Sequence, residues 1–155
     1  MRLPARIALG ALALLAAAQA VPVRRDNPPV EADLQAPPQV KALLRRACYD
    51  CHSHETVWPL QAYVAPISWL VAHDVQEGRE ELNFSRWGGE EPRRAAKRAR
   101  KVAKEVEEHE MPPWLYLLAH PEARLTEADR SLLAAWADGL ARGDPPTPGG
   151  GTPAP

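Results

Sequence analysis

The residues whose types and spacing could do chemistry lie together at Cys48-Tyr49-Asp50-Cys51-His52, a stretch that contains both cysteines of the 155-residue chain. Two thiols three positions apart at the end of a helix can each add to a vinyl group of one porphyrin, and the imidazole of the next residue can then reach the iron. The spacing therefore predicts covalent attachment of one c-type haem through Cys48 and Cys51, with His52 as the proximal iron ligand.

A second use of the same cysteines is thiol–disulfide exchange without haem. A bridge between Cys48 and Cys51 would close a very small loop, and such a pair is more often a redox site than a structural disulfide. His52, directly after the pair, favours haem attachment. A thiol oxidoreductase stays open as an alternative.

The candidate for the opposite side of the iron is Met111, in the run Met111-Pro112-Pro113-Trp114. Pro112 disfavours the helical conformation at Met111, so the preceding helix is expected to end there and the thioether to project from an extended segment. Methionine often fills irregular gaps in a core, but methionine opposite histidine is the usual pair in electron-carrying c-type centres. We predict Met111 as the distal ligand. The alternative is bis-histidine ligation, and its candidates are His54, His73, His109 and His120.

Helices are predicted to position these residues. Apolar side chains recur at helical spacing in a first helix that begins near Pro37-Pro38 and ends at the haem motif; they are Val40, Leu43, Leu44, Ala47 and Cys51. A second helix is expected to open at Pro66, with Gly78 as a weak point or terminator. Its predicted inward residues are Ile67, Leu70, Val71 and Val75. Residues 53–65 and 83–91 are predicted as loops.

Two further helices complete the expected fold. The third begins at Pro92 and carries an inner stripe of small residues: Ala95, Ala99, Val102, Ala103 and Val106. The last has an N-terminal cap at Thr126 and ends at Gly143, with an apolar stripe of Leu132, Leu133, Trp136 and Leu140. The basic first turns of the third helix are either a solvated face, as charge runs usually are, or a docking patch for an acidic redox partner.

Composition sets the domain organisation. Residues 1–20 carry Arg2 and Arg6 before an apolar run that ends in Ala18-Gln19-Ala20, as in an export signal; an uncleaved anchor extending to Val23 is the alternative. Residues 21–36 are predicted as a proline-rich tether, 37–142 as the folded domain and 143–155 as a disordered tail of proline and glycine. The net charge of −1 argues against nucleic acid as a partner.

Three stretches resemble the bacterial haem-binding domain family of cytochrome c-like proteins: Cys48 to Thr56, Ser68 to Arg79, and Met111 to Trp114. The resemblance extends from about Asn27 to Gly139, and the segment Leu60-Gln61-Ala62-Tyr63 is less aromatic than the family pattern. It implies a periplasmic, often membrane-tethered haem protein with thioethers at Cys48 and Cys51, His52 as proximal ligand and Met111 as distal ligand.

We therefore expect an all-α, cytochrome c-like domain wrapped around one covalent haem, in which the first and last helices pack together. The expected function is one-electron transfer with unidentified redox partner proteins in the periplasm, in a protein that is exported and either released or anchored to the inner membrane. With Met111 and His52 on the iron no position stays open for substrate, so the chain is not expected to be an enzyme. A haem-based sensor or peroxidase-like protein with an open or weakly held distal site is the alternative.

Overall fold

In the computed structural model, which describes residues 3–144, the protein consists of α-helices joined by loops and short 3-10 segments, and this part of the chain contains no β-strand. The α-helices are α1 (Leu3–Ala18), α2 (Pro38–Ala47), α3 (Tyr49–His52), α4 (Ile67–Glu81), α5 (Pro92–Glu107), α6 (Trp114–Ala119) and α7 (Glu127–Arg142). The 3-10 segments are Leu60–Tyr63, Phe84–Gly89 and Pro121–Ala123. The predicted all-α fold class is confirmed. Residues 145–155, predicted as a disordered tail, lie outside the described part of the chain.

The principal packing pair is α5 with α7, and small side chains allow these helices to approach closely. Ala99 and Ala103 of α5 and Ala134 and Ala137 of α7 are all buried. A capping box between Thr126 and Asp129 begins α7, and Gly143 ends it with a φ of 83°, as the sequence predicts.

The α7 stripe differs from the expected one. Leu133 is completely buried, but Leu132 is 38% exposed. The buried face instead includes Arg130, whose partners are described below. The helix is therefore rotated relative to its predicted orientation, because the small side chains of α5 pack against the alanines of α7 rather than against its leucines.

The first helix of the domain, α2, packs on α7 as expected. Its stripe of Val40, Leu43, Leu44 and Ala47 is buried, and an ion pair of 3.1 Å joins Arg46 to Asp129. The haem motif does not simply continue this helix, however. Cys48, at φ −132°, closes α2 and begins the separate one-turn helix α3.

The helix α4 corrects two expectations. Ile67 and Leu70, predicted to face inward, are 49% and 47% exposed, while Ser68, Val75 and Gly78 are buried. Gly78 does not end the helix, which continues to Glu81. The glycine lies where the backbone of α3 crosses α4, so it provides a close approach rather than a stop.

The segment of residues 24–34 forms neither helix nor strand, but it is bound to the domain. The backbone N–H groups of Glu31 and Ala32 donate to the carbonyl of Ser85, and that of Leu34 donates to Phe84. Leu34 is 2% exposed. This proline-containing segment is therefore extended, as a tether would be, and also covers one side of the 3-10 segment 84–89.

Helix α1 has no buried residue. Its neighbour Gln19 contacts the domain, because the side-chain oxygen accepts a hydrogen bond of 3.0 Å from the backbone N–H of Ala65. Within residues 3–144, no helix has both the length and the apolar character needed to cross a membrane.

Candidate haem site

The predicted attachment residues lie together where α2 meets α3. Cys48 and Cys51 are both free thiols and partly buried. Burial raises the pKa of each thiol to about 12. Thiol–disulfide exchange proceeds through the thiolate, and its catalytic cysteines have lowered pKa values. The surroundings of Cys48 and Cys51 thus favour the haem interpretation over the thiol oxidoreductase.

His52 is oriented by the C-terminal half of α4. Its Nδ1–H donates to the carbonyl of Gly78 at 2.8 Å, and the carbonyl of Leu82 lies 3.3 Å away. Burial lowers the pKa of His52, which favours the neutral imidazole. A bond at Nδ1 fixes the tautomer and leaves Nε2 as the nitrogen that can bind a metal. Phe84 contacts the ring edge, with the centroids 6.3 Å apart.

Gly78 is essential to this arrangement for a second reason. A Cβ atom at residue 78 would lie 2.6 Å from the carbonyl oxygen of Cys51. The helix α3 therefore rests directly on the backbone of α4, and His52 reaches the Gly78 carbonyl only because no side chain separates the two helices.

Arg79, the next residue of α4, joins three parts of the chain around the motif. Its guanidinium donates to the carbonyl of Ser53 at 2.7 Å, to the hydroxyl of Thr56 at 2.9 Å, and to the carbonyl of Asp26 and the side-chain oxygen of Asn27, both at 2.9 Å. These bonds hold the chain that follows His52 between α4 and the N-terminal segment.

Tyr49, within the motif, binds the same N-terminal segment from the other direction. Its hydroxyl donates to Asp33 at 2.8 Å and is also contacted by Lys41. The ring is 3% exposed and stacks on Phe84 with a centroid distance of 5.1 Å. Burial and the Asp33 carboxylate raise the pKa of Tyr49, so this hydroxyl remains a hydrogen-bond donor.

Met111 lies in a turn after α5. The helix ends at Glu107, earlier than Pro112 alone requires, because His109 adopts a left-handed conformation with φ 63°. The N–H of Met111 donates to the carbonyl of Glu105 at 3.1 Å. Arg130 binds the carbonyl of Met111 at 3.0 Å and that of Val106 at 2.8 Å. The backbone at Met111 is therefore fixed to α5 and α7.

One side-chain bond connects the element after Met111 with the haem motif. The hydroxyl of Tyr116, on α6, donates to the carboxylate of Asp50 at 2.8 Å. Asp50 is the residue between Tyr49 and Cys51, and its other oxygen accepts from the N–H of Val57 at 3.0 Å. The structure thus brings Tyr116, five residues beyond Met111, against the same motif that carries His52.

The four other candidate histidines have partners elsewhere. His54 is buried and uses both ring nitrogens, donating to the Pro29 carbonyl and accepting from Asn83. The remaining three each lie beside a glutamate, and these pairs are His73–Glu77, His109–Glu127 and His120–Glu122. His54 cannot ligate a metal without breaking one of its bonds, which weakens the bis-histidine alternative.

The residues present fit a haem better than a bare metal ion. Residues 3–144 contain no group of three or more histidine, cysteine or acidic side chains that could hold an ion by themselves. The motif supplies two thiols and one oriented imidazole instead. The elements that contact it, α4 and α6, carry exposed apolar side chains, which suit a flat apolar macrocycle; they are Ile67, Leu70, Leu115 and Leu118.

Sequence reasoning assigned no role to Arg79, Tyr116 or Arg130. The partners of each lie far away along the chain, up to 66 residues for Tyr116, so no local spacing reveals them. A polar residue at an otherwise inward position, such as Arg130 before Leu133 and Ala134, was the one available signal.

Comparison with known proteins gives one positive result. No curated protein and no solved structure shows a significant match to the chain. A family model described as "Haem-binding domain" matches residues 9–139, a range that includes the motif, α4, Met111 and most of α7. The chain therefore belongs to the haem-binding domain family.

Proposed function

We propose that the chain is a mono-haem c-type cytochrome that transfers single electrons, with the haem attached covalently at Cys48 and Cys51 and with His52 and Met111 as axial ligands. The observation that carries the proposal is the Nδ1–H bond from His52 to the Gly78 carbonyl, because it orients the imidazole that directly follows Cys51. When bound, the haem iron would supply the change between ferric and ferrous states.

The residues of the chain would keep the same two ligands on the iron in its ferric and ferrous states. His52 is held by a helix backbone and Met111 by Arg130, so both ligands would stay in place in either oxidation state. With both residues bound to it, the iron would have no position left for a substrate, which supports electron transfer rather than catalysis. A thioether ligand and burial both raise the reduction potential of a haem.

The test is the visible spectrum of protein expressed in the periplasm with the haem-attachment machinery, wild type beside Met111→Ala and His73→Ala. We expect covalent c-type haem in all three, and a methionine-to-iron charge-transfer band that only Met111→Ala loses. Protein without covalent haem, and with titratable thiols, would overturn the proposal in favour of a thiol oxidoreductase. A band that survives in Met111→Ala would remove Met111 as ligand. Rapid binding of carbon monoxide to the ferrous wild type would favour the sensor or peroxidase-like alternative.

For localisation we propose export to the periplasm through residues 1–20, followed either by release or by retention on the inner membrane through residues 1–23. The apolar helix α1, none of whose residues is buried, supports this. The intact mass of the protein from membrane and soluble fractions distinguishes the two forms. Cytoplasmic protein that retains residue 1 and lacks haem would contradict export. The partners would be redox proteins rather than nucleic acid.

A further inference from the structure

We infer that Asp50 and Tyr116 form a positioning pair, which sets the position of the Met111 turn relative to the haem motif and thereby controls how firmly the distal ligand is held. This inference rests on the proposed function, because it concerns the hold on Met111 as a ligand. Neither residue would touch the iron; each acts through Met111.

The first step is the position of the pair. Asp50 lies inside the attachment motif, two residues before His52, while Tyr116 lies on the first turn of α6, after Met111 and the two prolines. The hydrogen bond of 2.8 Å between them therefore joins the proximal element to the distal one directly. The chain between them includes α4, α5 and their loops.

The second step is that both partners are themselves held. The carboxylate of Asp50 also accepts from the N–H of Val57, and its backbone carbonyl accepts from Thr56. The ring of Tyr116 is half-buried and stacks on His120 with a centroid distance of 4.3 Å. A bond between two fixed groups transmits position, whereas a bond between mobile side chains does not.

The third step is that α6 packs on the core through only two partly buried side chains, those of Tyr116 and Leu117. None of its six residues is buried, and Trp114, Leu115 and Leu118 are each at least half exposed. Burial and the Asp50 carboxylate raise the pKa of Tyr116, so the hydroxyl remains a donor at ordinary pH. Losing this donor would remove the direct link between α6 and the motif, so that α6 and the Met111 side chain could shift relative to the motif while Arg130 still holds the Met111 backbone.

The experiment measures how readily an added ligand displaces the distal one. Imidazole is titrated into the ferric, haem-loaded protein, and the visible spectrum gives its apparent Kd. The variants are Tyr116→Phe, Asp50→Ala and the double variant, and the matched control is Tyr49→Phe. Tyr49 also donates to a carboxylate at 2.8 Å, but its partner Asp33 lies in the N-terminal segment, so its loss affects stability without loosening α6.

We expect Tyr116→Phe to bind imidazole about tenfold more tightly than wild type, since a hydrogen bond to a charged acceptor is worth about that factor. The double variant should bind no more tightly than Asp50→Ala, as in a coupled pair. Tyr49→Phe should lower Tm and leave the imidazole Kd unchanged. Equal Kd values for Tyr116→Phe and wild type would overturn the inference, and so would an equal tightening in Tyr49→Phe.

The two levels of the argument fail separately. If wild type lacks the methionine-to-iron band, the proposed His52 and Met111 ligation is wrong. If that band is present and is lost in Met111→Ala, but Tyr116→Phe leaves both the band and the imidazole Kd unchanged, then the ligation stands and only the role of Asp50 and Tyr116 is wrong.

Discussion

The two sides of the haem motif are held very differently. On the side of His52, the backbone of α3 rests on Gly78, Arg79 makes hydrogen bonds to both flanking segments, and Tyr49 binds Asp33 beneath Phe84. On the side of Met111, the turn is fixed to α5 and α7 through its backbone, and α6 reaches the motif through the single Tyr116 hydroxyl. His52, the proposed proximal ligand, is therefore positioned by several contacts around the motif, whereas Met111, the proposed distal ligand, depends on fewer.

We infer from this difference that the His52 side controls stability and haem attachment, and the Met111 side controls ligand exchange. Changes on the His52 side should reduce stability and the yield of covalent haem, because they disturb the element that carries the thiols. Changes on the Met111 side should alter exchange of the distal ligand at smaller cost in stability. Four predictions follow this contrast, from the largest expected effect to the smallest.

Gly78→Ala should be the most damaging. A Cβ at this position would lie 2.6 Å from the Cys51 carbonyl oxygen, and two helix backbones cannot yield as a flexible side chain can. We expect a loss of about 3 kcal/mol in the free energy of unfolding, typical of severe overpacking, and a lower yield of covalent haem. Denaturant unfolding and haem staining measure the two. Gly89→Ala is the control, since nothing lies within 4 Å of its added Cβ; equal losses in both variants would mean that the close contact is unimportant.

Arg79→Gln should lower the free energy of unfolding by about 2 kcal/mol, because a hydrogen bond from a charged group contributes about that much. The substitution removes the guanidinium that donates to Ser53, Thr56, Asp26 and Asn27. Imidazole affinity should not change. The matched control is Arg86→Gln, which loses only a surface ion pair of 3.4 Å to Glu31. The contrast between the two sides fails if Arg79→Gln instead loosens the distal ligand without affecting stability.

Arg130→Lys should show the distal pattern. Both the Val106 and the Met111 carbonyls accept from the Nη1 nitrogen of Arg130; lysine keeps the charge, but its ammonium ends one bond short of that position. We expect a loss of only about 1 kcal/mol in stability together with tighter binding of imidazole to the ferric protein. Arg142→Lys, on the exposed end of α7, should change neither. An unchanged imidazole Kd in Arg130→Lys would show that the Met111 turn is held by other contacts.

The smallest expected effect is a pH dependence on the proximal side. Burial raises the pKa of the Asp33 carboxyl. The hydrogen bonds from Lys41 and Tyr49 together lower that pKa by more than burial raises it, so it lies below the usual value for aspartate. A carboxyl whose folded pKa is depressed stabilises the fold above its unfolded pKa of about 3.9 and loses that contribution as the pH falls through the folded pKa.

Wild type and Asp33→Asn should therefore differ in unfolding free energy by a constant amount at neutral pH, and the difference should shrink below about pH 4. Denaturant unfolding at a series of pH values measures it. The control is Ser131→Ala, at an exposed neutral residue of α7, which removes no titrating group and should show no such change. A difference that grows on acidification would contradict the assigned direction of the Asp33 shift.

Local sequence was enough to predict α2, α5, α7 and most of α4, but not the short helices α3 and α6. Val40, Leu43, Leu44 and Ala47 repeat at helical spacing, and Thr126 and Gly143 mark the ends of α7 by their own backbone and side-chain chemistry. Where local pattern failed, the packing partner was the reason. Leu132 and Ile67 fit the apolar spacing but are exposed. The faces of α7 and α4 that pack against neighbouring helices are instead those with alanine and glycine, because small residues allow closer contact.

What the sequence alone determined is which residues can be predicted to hold a haem, because two thiols and an imidazole with the spacing of Cys48, Cys51 and His52 are the groups that covalent attachment requires. The tertiary structure decided how those groups are oriented. The Gly78 carbonyl that fixes the His52 tautomer, and the Tyr116 hydroxyl that meets Asp50, come from distant parts of the chain. A hydrogen bond depends on distance and angle in space, and neither is written in the spacing of residues along the chain.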